Sequence, residues 1–418
     1  MSMTNKMIAM RPIHPLEKMY ASVIPCYINL GIDVEDPKAI PTILERAKNA
    51  SPPFFMKVKN DTLCRFEKPD FQVVKMPDEI TDLEDSLTWA LKNCHPNGTD
   101  KLATVAVNSS KIVLSYNHGF FSGHMMMNVM NEVQNPTKDL KIPYFPINLD
   151  DVFSIHDVKP FSIHYQKPQI AHYANTRVTK PDESDVLQLV SNTFDSRKEL
   201  TEIYDPKKDV LKGLTEFTAA AYILTFKSFN ENLGDWGIQT AYDTVKSLPA
   251  FQQTLAPANC VGLFELSINP RPEKFGELMH ELRVELNEQM RIKKWLNGIK
   301  WVIDGNPEER PRLGLCCAQS NVGQVRIKKP IKDVIMRVSQ EDPPNMLNLF
   351  MYSVIGEEKN IVKTHLSYGN VEIHKKEVEL VNEVFKFAIK NVRKNDKIDD
   401  ALQMLRDFRR CQLSQYKL

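Results

Sequence analysis

The stretch Leu114 to Met130, LSYNHGFFSGHMMMNVM, sets one histidine, His118, between an apolar run and a run with helical spacing. A neutral imidazole near pH 7 can take the proton that a hydroxyl or amine loses as it attacks a carbonyl, so His118 is a candidate general base. Upstream, LATVAVNSSKIVLSY has two apolar arms, with β-branched Val105, Val107, Ile112 and Val113, around a polar Asn-Ser-Ser, which is a hairpin pattern. Downstream of Gly123, Met126, Val129, Met130 and Val133 recur at helical spacing. The chain therefore turns from strand to helix around His118, and Ser122, just before the helix, suits an N-cap.

Other chemistries are weaker. His124 lies six residues beyond His118, but a strand end and a helix with no third ligand do not make a zinc site, so no metal is expected. Met125 to Met127 read as core filler. The seven cysteines are scattered without a CxxC pair, which fits reduced thiols, and Cys316-Cys317 point to opposite faces of a strand. No GxGxxG or GxxxxGK[ST] occurs, which removes dinucleotide and P-loop phosphate sites.

At 418 residues the chain exceeds one ordinary core, and two domains are expected. With 54 basic and 53 acidic residues it has no signature of a nucleic-acid binder. FTAAAYILTF at 217–226 is too short to span a bilayer and the N-terminus has no apolar leader core, so a soluble, cytoplasmic protein is the expectation, taken as a monomer although the sequence does not fix its oligomeric state. Helices are predicted over 36–47, 82–94, from Asp182 through DESDVLQLVSNTF, over 214–229, from Glu273 to about Trp295 and over 377–392. Strand-like runs include PFFMKVK, FQVVKMP, GIQTAYDTV, CVGLFELSI and a hairpin of MLNLFMYSVI with NIVKTHLSY, while the basic runs NVRKNDK and DFRRCQ near the C-terminus read as solvated helix surface.

The frame His118-Gly-Phe-Phe-Ser122-Gly123 resembles the HxxxDG or HHxxxDG signature of CoA-dependent acyltransferases with the chloramphenicol acetyltransferase-like fold, which include alcohol acetyltransferases and the condensation domains of nonribosomal peptide synthetases. RPIHPLEKMY is similar to the opening of the alcohol acetyltransferase branch, TVKSLPAFQQTLAPANCVGLFEL to an arginine-proline stretch leading to a strand, and AQSNVGQVRIKKPI to a C-terminal strand segment with Ser-Asn-x-Gly. The resemblance implies an α/β fold of two such subdomains, each a mixed sheet flanked by helices, with a channel between them. Residues 1–150 would form the first, 151–180 the crossover and 181–418 the second.

It further implies transfer of an acyl group, acetyl included, from CoA to the hydroxyl or amine of a small acceptor, with His118 as base. Acyl-CoA would be a co-substrate, with no permanently bound cofactor. Ser320 and Asn321 are the candidate donors to the developing oxyanion. Gly323 would let the strand bend near the ligand, and Lys328 and Lys329 would meet the CoA phosphates. Ser122 stands where the family carries aspartate, and Lys246 where it commonly carries that residue's arginine partner, so Ser122, Gly123 and Lys246 are expected to shape the histidine loop. These departures leave open a catalytically degenerate member that binds a ligand or protein. A condensation-type enzyme using carrier-protein thioesters is the further alternative, ranked lower because no carrier-protein or adenylation segment is evident in the sequence.

Overall fold

Chain segments rich in β-branched and aromatic residues supply most of the strands, and the computed structural model describes residues 7–23, 25–137, 188–229, 236–244, 261–268, 270–296, 316–340, 346–368 and 375–416. In chain order the strands are β1 (Met7–Pro12), β2 (Cys26–Val34), β3 (Met56–Lys59), β4 (Thr62–Phe66), β5 (Val73–Lys75), β6 (Ala103–Val107), β7 (Lys111–Asn117) and β8 (Gln188–Asp195). They continue as β9 (Tyr204–Asp205), β10 (Val210–Leu211), β11 (Trp236–Asp243), β12 (Val261–Ile268), β13 (Cys316–Arg326), β14 (Ile331–Gln340), β15 (Met346–Ile355) and β16 (Asn360–Tyr368). Two mixed sheets dominate, ordered β14-β2-β7-β6-β5 and β12-β11-β13-β15-β16-β8, beside small sheets β1-β4-β3 and β10-β9.

The central strands of the first sheet, β2 and β7, are buried on both faces. Along β7, Ile112, Leu114 and Tyr116 pack with the Ile40–Asn49 and Gly123–Gln134 helices, whereas Val113 packs with Leu83 and Leu87 of the Leu83–Asn93 helix. Gly31 of β2 admits the latter helix, since a Cβ there would lie 2.3 Å from Leu87 Cδ1. The second sheet rests on the Leu214–Phe229, Phe275–Arg291 and Lys375–Asn391 helices, and the Ile398–Tyr416 helix packs on the first and last of these. Residues Leu214 to Phe229 form one helix, as their apolar composition predicts, with nearly every side chain after Phe217 buried. None of the described helices is long and apolar enough to cross a membrane.

The sheets do not follow the order of the halves. Strand β14 pairs antiparallel with β2, from Ile331 opposite Val34 to Gln340 opposite Cys26, although β13 before it and β15 after it both lie in the second sheet. Strand β15 serves two cores: Leu347, Leu349 and Met351 face the second, while Phe350, Tyr352 and Val354 pack with the first. The helix predicted from Asp182 is corrected over its described part, because Gln188–Asp195 is an edge strand paired with β16. Its burial alternates, with Ser191 and Thr193 outward and Asn192 and Phe194 inward, a period of two that outweighed the apolar spacing read as helical. Pro52–Phe55 is a 3-10 turn ahead of β3, and FQVVKMP contributes only Val73–Lys75. The crossover at 151–180 lies outside the described residues.

A polar seam, buried at Tyr352 and His365 and open to solvent at Ser191, joins the sheets. The Met336 N–H donates to Tyr352 Oη at 2.9 Å, so the Tyr352 hydroxyl donates to His365 Nε2 at 3.2 Å. His365 Nδ1 then donates to Ser191 Oγ at 2.8 Å, and that hydroxyl donates to Glu84 Oε2 at 3.1 Å, which also accepts from Arg337 at 2.9 Å. Every proton in this relay has an acceptor only while the imidazole is neutral. Burial, with Arg337 and Lys363 nearby, pushes the His365 pKa down to about 3. A folded-state pKa below the unfolded value of about 6.5 gives a contribution present in full above pH 6.5 and lost as pH falls toward 3. Replacing His365 with Gln is therefore expected to flatten the acid limb of stability by up to one proton, ~1.4 kcal/mol per pH unit within that window, measured by urea unfolding between pH 4 and 7.

Candidate active site

Strand β7 ends at Asn117 and the next helix starts at Gly123, so five residues carry the reversal. The His118 N–H donates to the Cys26 carbonyl at 2.7 Å, adding one more bond between this end of β7 and the start of β2. Asn117 closes the turn twice, its side-chain Oδ1 accepting from Gly119 N at 2.9 Å and its carbonyl from Phe120 N at 3.1 Å. The two phenylalanines pin the loop from opposite sides. Phe120 enters a small core with Ala21, Met56, Leu63 and Leu102, whereas Phe121 stacks on Tyr116 with ring centroids 3.8 Å apart.

Between them His118 is half-buried as a residue, its imidazole Nδ1 is shut off from solvent, and the ring stacks against Tyr20 at 5.3 Å and 22°. Burial lowers the pKa of the imidazole below its ordinary value, opposed by backbone hydrogen bonds at His118 and Phe121. At neutral pH the ring is unprotonated, the state a base requires.

The loop leans on the segment RPIHPLEKMY. Glu17, fully buried, accepts both guanidinium nitrogens of Arg11 at 2.6 Å and the His14 N–H at 2.8 Å, while His14 Nδ1 accepts from Leu16 N at 3.1 Å. This reciprocal cap fixes the short Pro15–Lys18 helix and the π-helical turn Met19–Val23 after it, and so the position of Tyr20. The fit is close: a Cβ on Gly119 would lie 2.7 Å from the Glu17 carbonyl oxygen, and one on Gly98, which has φ +75°, 2.2 Å from that of Ala21. Arg11, Glu17 and Tyr20 were not singled out as site residues from the sequence. The signal available was Pro15 at the first helical position with Glu17 two residues later.

Ser122 is the N-cap, fully buried, accepting from Met125 N at 3.4 Å. The neighbouring His124 N–H donates to Asp243 Oδ2 at the end of β11, at 3.1 Å. Gly123 touches β13, since a Cβ there would lie 2.6 Å from Val322 Cγ1. The structure thus brings the 320–323 segment against the start of the histidine-loop helix. Within that segment Asn321 Nδ2 donates to Thr215 Oγ1 at 3.0 Å and Oδ1 accepts from Gly323 N at 3.0 Å, across a bulge where Gly323 adopts φ +101°. Asn321 thus ties the bulge to the first turn of the Leu214–Phe229 helix, and half-buried Ser320 lies opposite Phe350 of β15.

Lys328 and Lys329 do not join this group. The Lys328 N–H donates to Gln134 Oε1 at 2.8 Å and Nζ to Asn135 Oδ1 at 2.6 Å, at the far end of a 12-residue helix and so about 18 Å along it from Ser122. Lys329 is exposed beside Pro330. Lys246 lies outside the described residues.

No family model matches the sequence, and no curated protein matches it. Solved structures do share its fold. The condensation domain from the monacolin K polyketide synthase MokA superposes with a TM-score of 0.64 at 13% identity, covering 94% of this chain and 100% of that one. The first condensation domain of the calcium-dependent antibiotic synthetase, in complex with a substrate analogue, gives 0.62 at 10% identity over 94% and 98%. A mutant of the starter condensation domain of rhizomide synthetase RzmA, in complex with C8-CoA and Leu-SNAC, gives 0.57 at 10% identity over 93% and 92%.

The buried pair under the loop yields an expected outcome. Arg11→Met strands the Glu17 carboxylate and should cost about 3–5 kcal/mol in urea unfolding, whereas Arg11→Met with Glu17→Gln should recover most of it because no buried charge is then unpaired. Equal losses in the single and double variants would mean that the pair does not support the loop.

Proposed function

We propose that this chain, which has the two-subdomain chloramphenicol acetyltransferase-like fold of the condensation domains, transfers an acyl group from a pantetheine thioester to an amine or hydroxyl, with His118 as general base. The observation that carries the reading is an imidazole held at a strand end, stacked on Tyr20 and biased by burial to its neutral form. The acceptor's lone pair adds to the thioester carbonyl while His118 takes its proton. The tetrahedral intermediate then collapses, the C–S bond breaks, and the imidazolium returns the proton to the thiolate. An oxyanion donor is needed, and the bulge at Asn321 to Gly323 is the candidate, because it meets the histidine-loop helix through Val322. Acyl-CoA is the proposed donor. The C8-CoA bound by the RzmA domain supports that choice for this fold, and a carrier-protein thioester presents the same pantetheine chemistry.

The test is thiol release from acetyl-CoA and octanoyl-CoA against a panel of small amines and alcohols. His118→Ala should stay folded and lose turnover by ~10² to 10⁴ with little change in KM. Because the imidazole pKa is lowered, the acid limb of kcat/KM should fall below pH 6.5. Equal turnover of both proteins removes His118 from the chemistry. An acyl-CoA that raises Tm without any turnover in the wild type favours the ligand-binding alternative.

A further inference from the structure

The first turn of the Gly123–Gln134 helix has its amides met from two places. Ser122 Oγ accepts from Met125 N inside the loop, and Asp243 Oδ2 accepts from His124 N across 119 residues of sequence. Ser122 is neutral, so of these two acceptors only Asp243 brings negative charge to a helix end that favours it. Asp243 is also the last residue of β11, which pairs with β12 and β13, so its carboxylate is fixed to the second sheet. Gly123 lies against Val322 of β13 at the same point. The His118 loop feeds directly into this turn.

We infer that Asp243 is a positioning residue for His118: it fastens the start of the histidine-loop helix to the second sheet and thereby fixes where the imidazole stands relative to the Asn321–Gly323 bulge. The catalytic half of this inference rests on His118 being the base. The positioning half does not. Ser122 Oγ and Asp243 Oδ2 accept from consecutive amides of one helical turn, so a carboxylate at position 122 would face Asp243 with like charge. A neutral cap at 122 is the form compatible with Asp243.

Two measurements that need no substrate test the positioning. In hydrogen exchange, Asp243→Ala should raise exchange in peptides spanning 117–126 by at least about tenfold without changing those of the Leu214–Phe229 helix, and Asp243→Asn, which keeps an acceptor oxygen, should restore most protection. In thermal melting, Ser122→Asp should lower Tm in the wild type and lose that effect in the Asp243→Asn background, a non-additivity that reports the contact. Unchanged exchange in Asp243→Ala, or additive effects of the two substitutions, would overturn the inference.

The link to His118 is read by carbethoxylation with diethyl pyrocarbonate, followed by mass spectrometry as a function of pH. Asp243→Ala should shift the midpoint or rate of modification at His118, and Asp243→Asn should shift it less. An identical profile in all three proteins would overturn the effect on the base. If the wild type releases no thiol from acetyl-CoA or octanoyl-CoA with any acceptor while these differences appear, the proposed reaction fails and the positioning stands.

Discussion

Three strands consecutive in the described chain, β13, β14 and β15, lie in turn in the second sheet, at the edge of the first, and in the second again. The rest of the architecture depends on that crossing. Because β14 is hydrogen-bonded to β2 along nearly its whole length while β13 and β15 are paired to each other, neither sheet can be completed without fixing the other. The alternating faces of β15 carry the same constraint into the cores, with odd-numbered side chains packed in one and even-numbered ones in the other. Burial that would ordinarily stabilise two separate units is shared by one.

The histidine loop sits beside this shared region. It hangs from the end of β7, leans on the 14–23 segment through glycine contacts, and meets β11 and β13 through Asp243 and Val322. Each support acts on a different side: packing by Phe120 and Phe121, a buried ion pair beneath Tyr20, and a hydrogen bond from the opposite sheet. Several independent restraints fix the position of a side chain more closely than one strong bond does. Glycines at 98, 119 and 123 are part of the same economy of space, since each lets a neighbouring element approach closer than a methyl group would allow.

The hairpin, the turn at His118 and the following helix were legible because they are local: β-branched arms, a polar turn and a helical period all lie within 35 residues. The buried helix 214–229 and the β15–β16 hairpin were legible for the same reason. What escaped is of two kinds. Strand β2 is buried on nearly every residue, and Asn29 and Gly31 interrupt its apolar run, so it shows no alternation. Contacts such as Asp243 with His124 or Glu84 with Ser191 join residues more than 100 apart, and nothing in either local stretch names its partner. The strand at 188–195 failed differently: Leu189, Val190 and Phe194 fit a helical spacing equally well, and pairing with β16 decided the matter.

The lending of β14 has a bearing on ancestry and on engineering. Chimeras made by joining the first half of this chain to the second half of a relative would receive β14 from the donor of the second half, and with it ten residues that must fit a sheet built by the other parent. The unit that can be exchanged by recombination is therefore not a half of the sequence. A fragment ending before residue 331 would leave the β2 edge without its β14 neighbour, open to pairing with another chain, so the two halves are bound to change in concert at this seam.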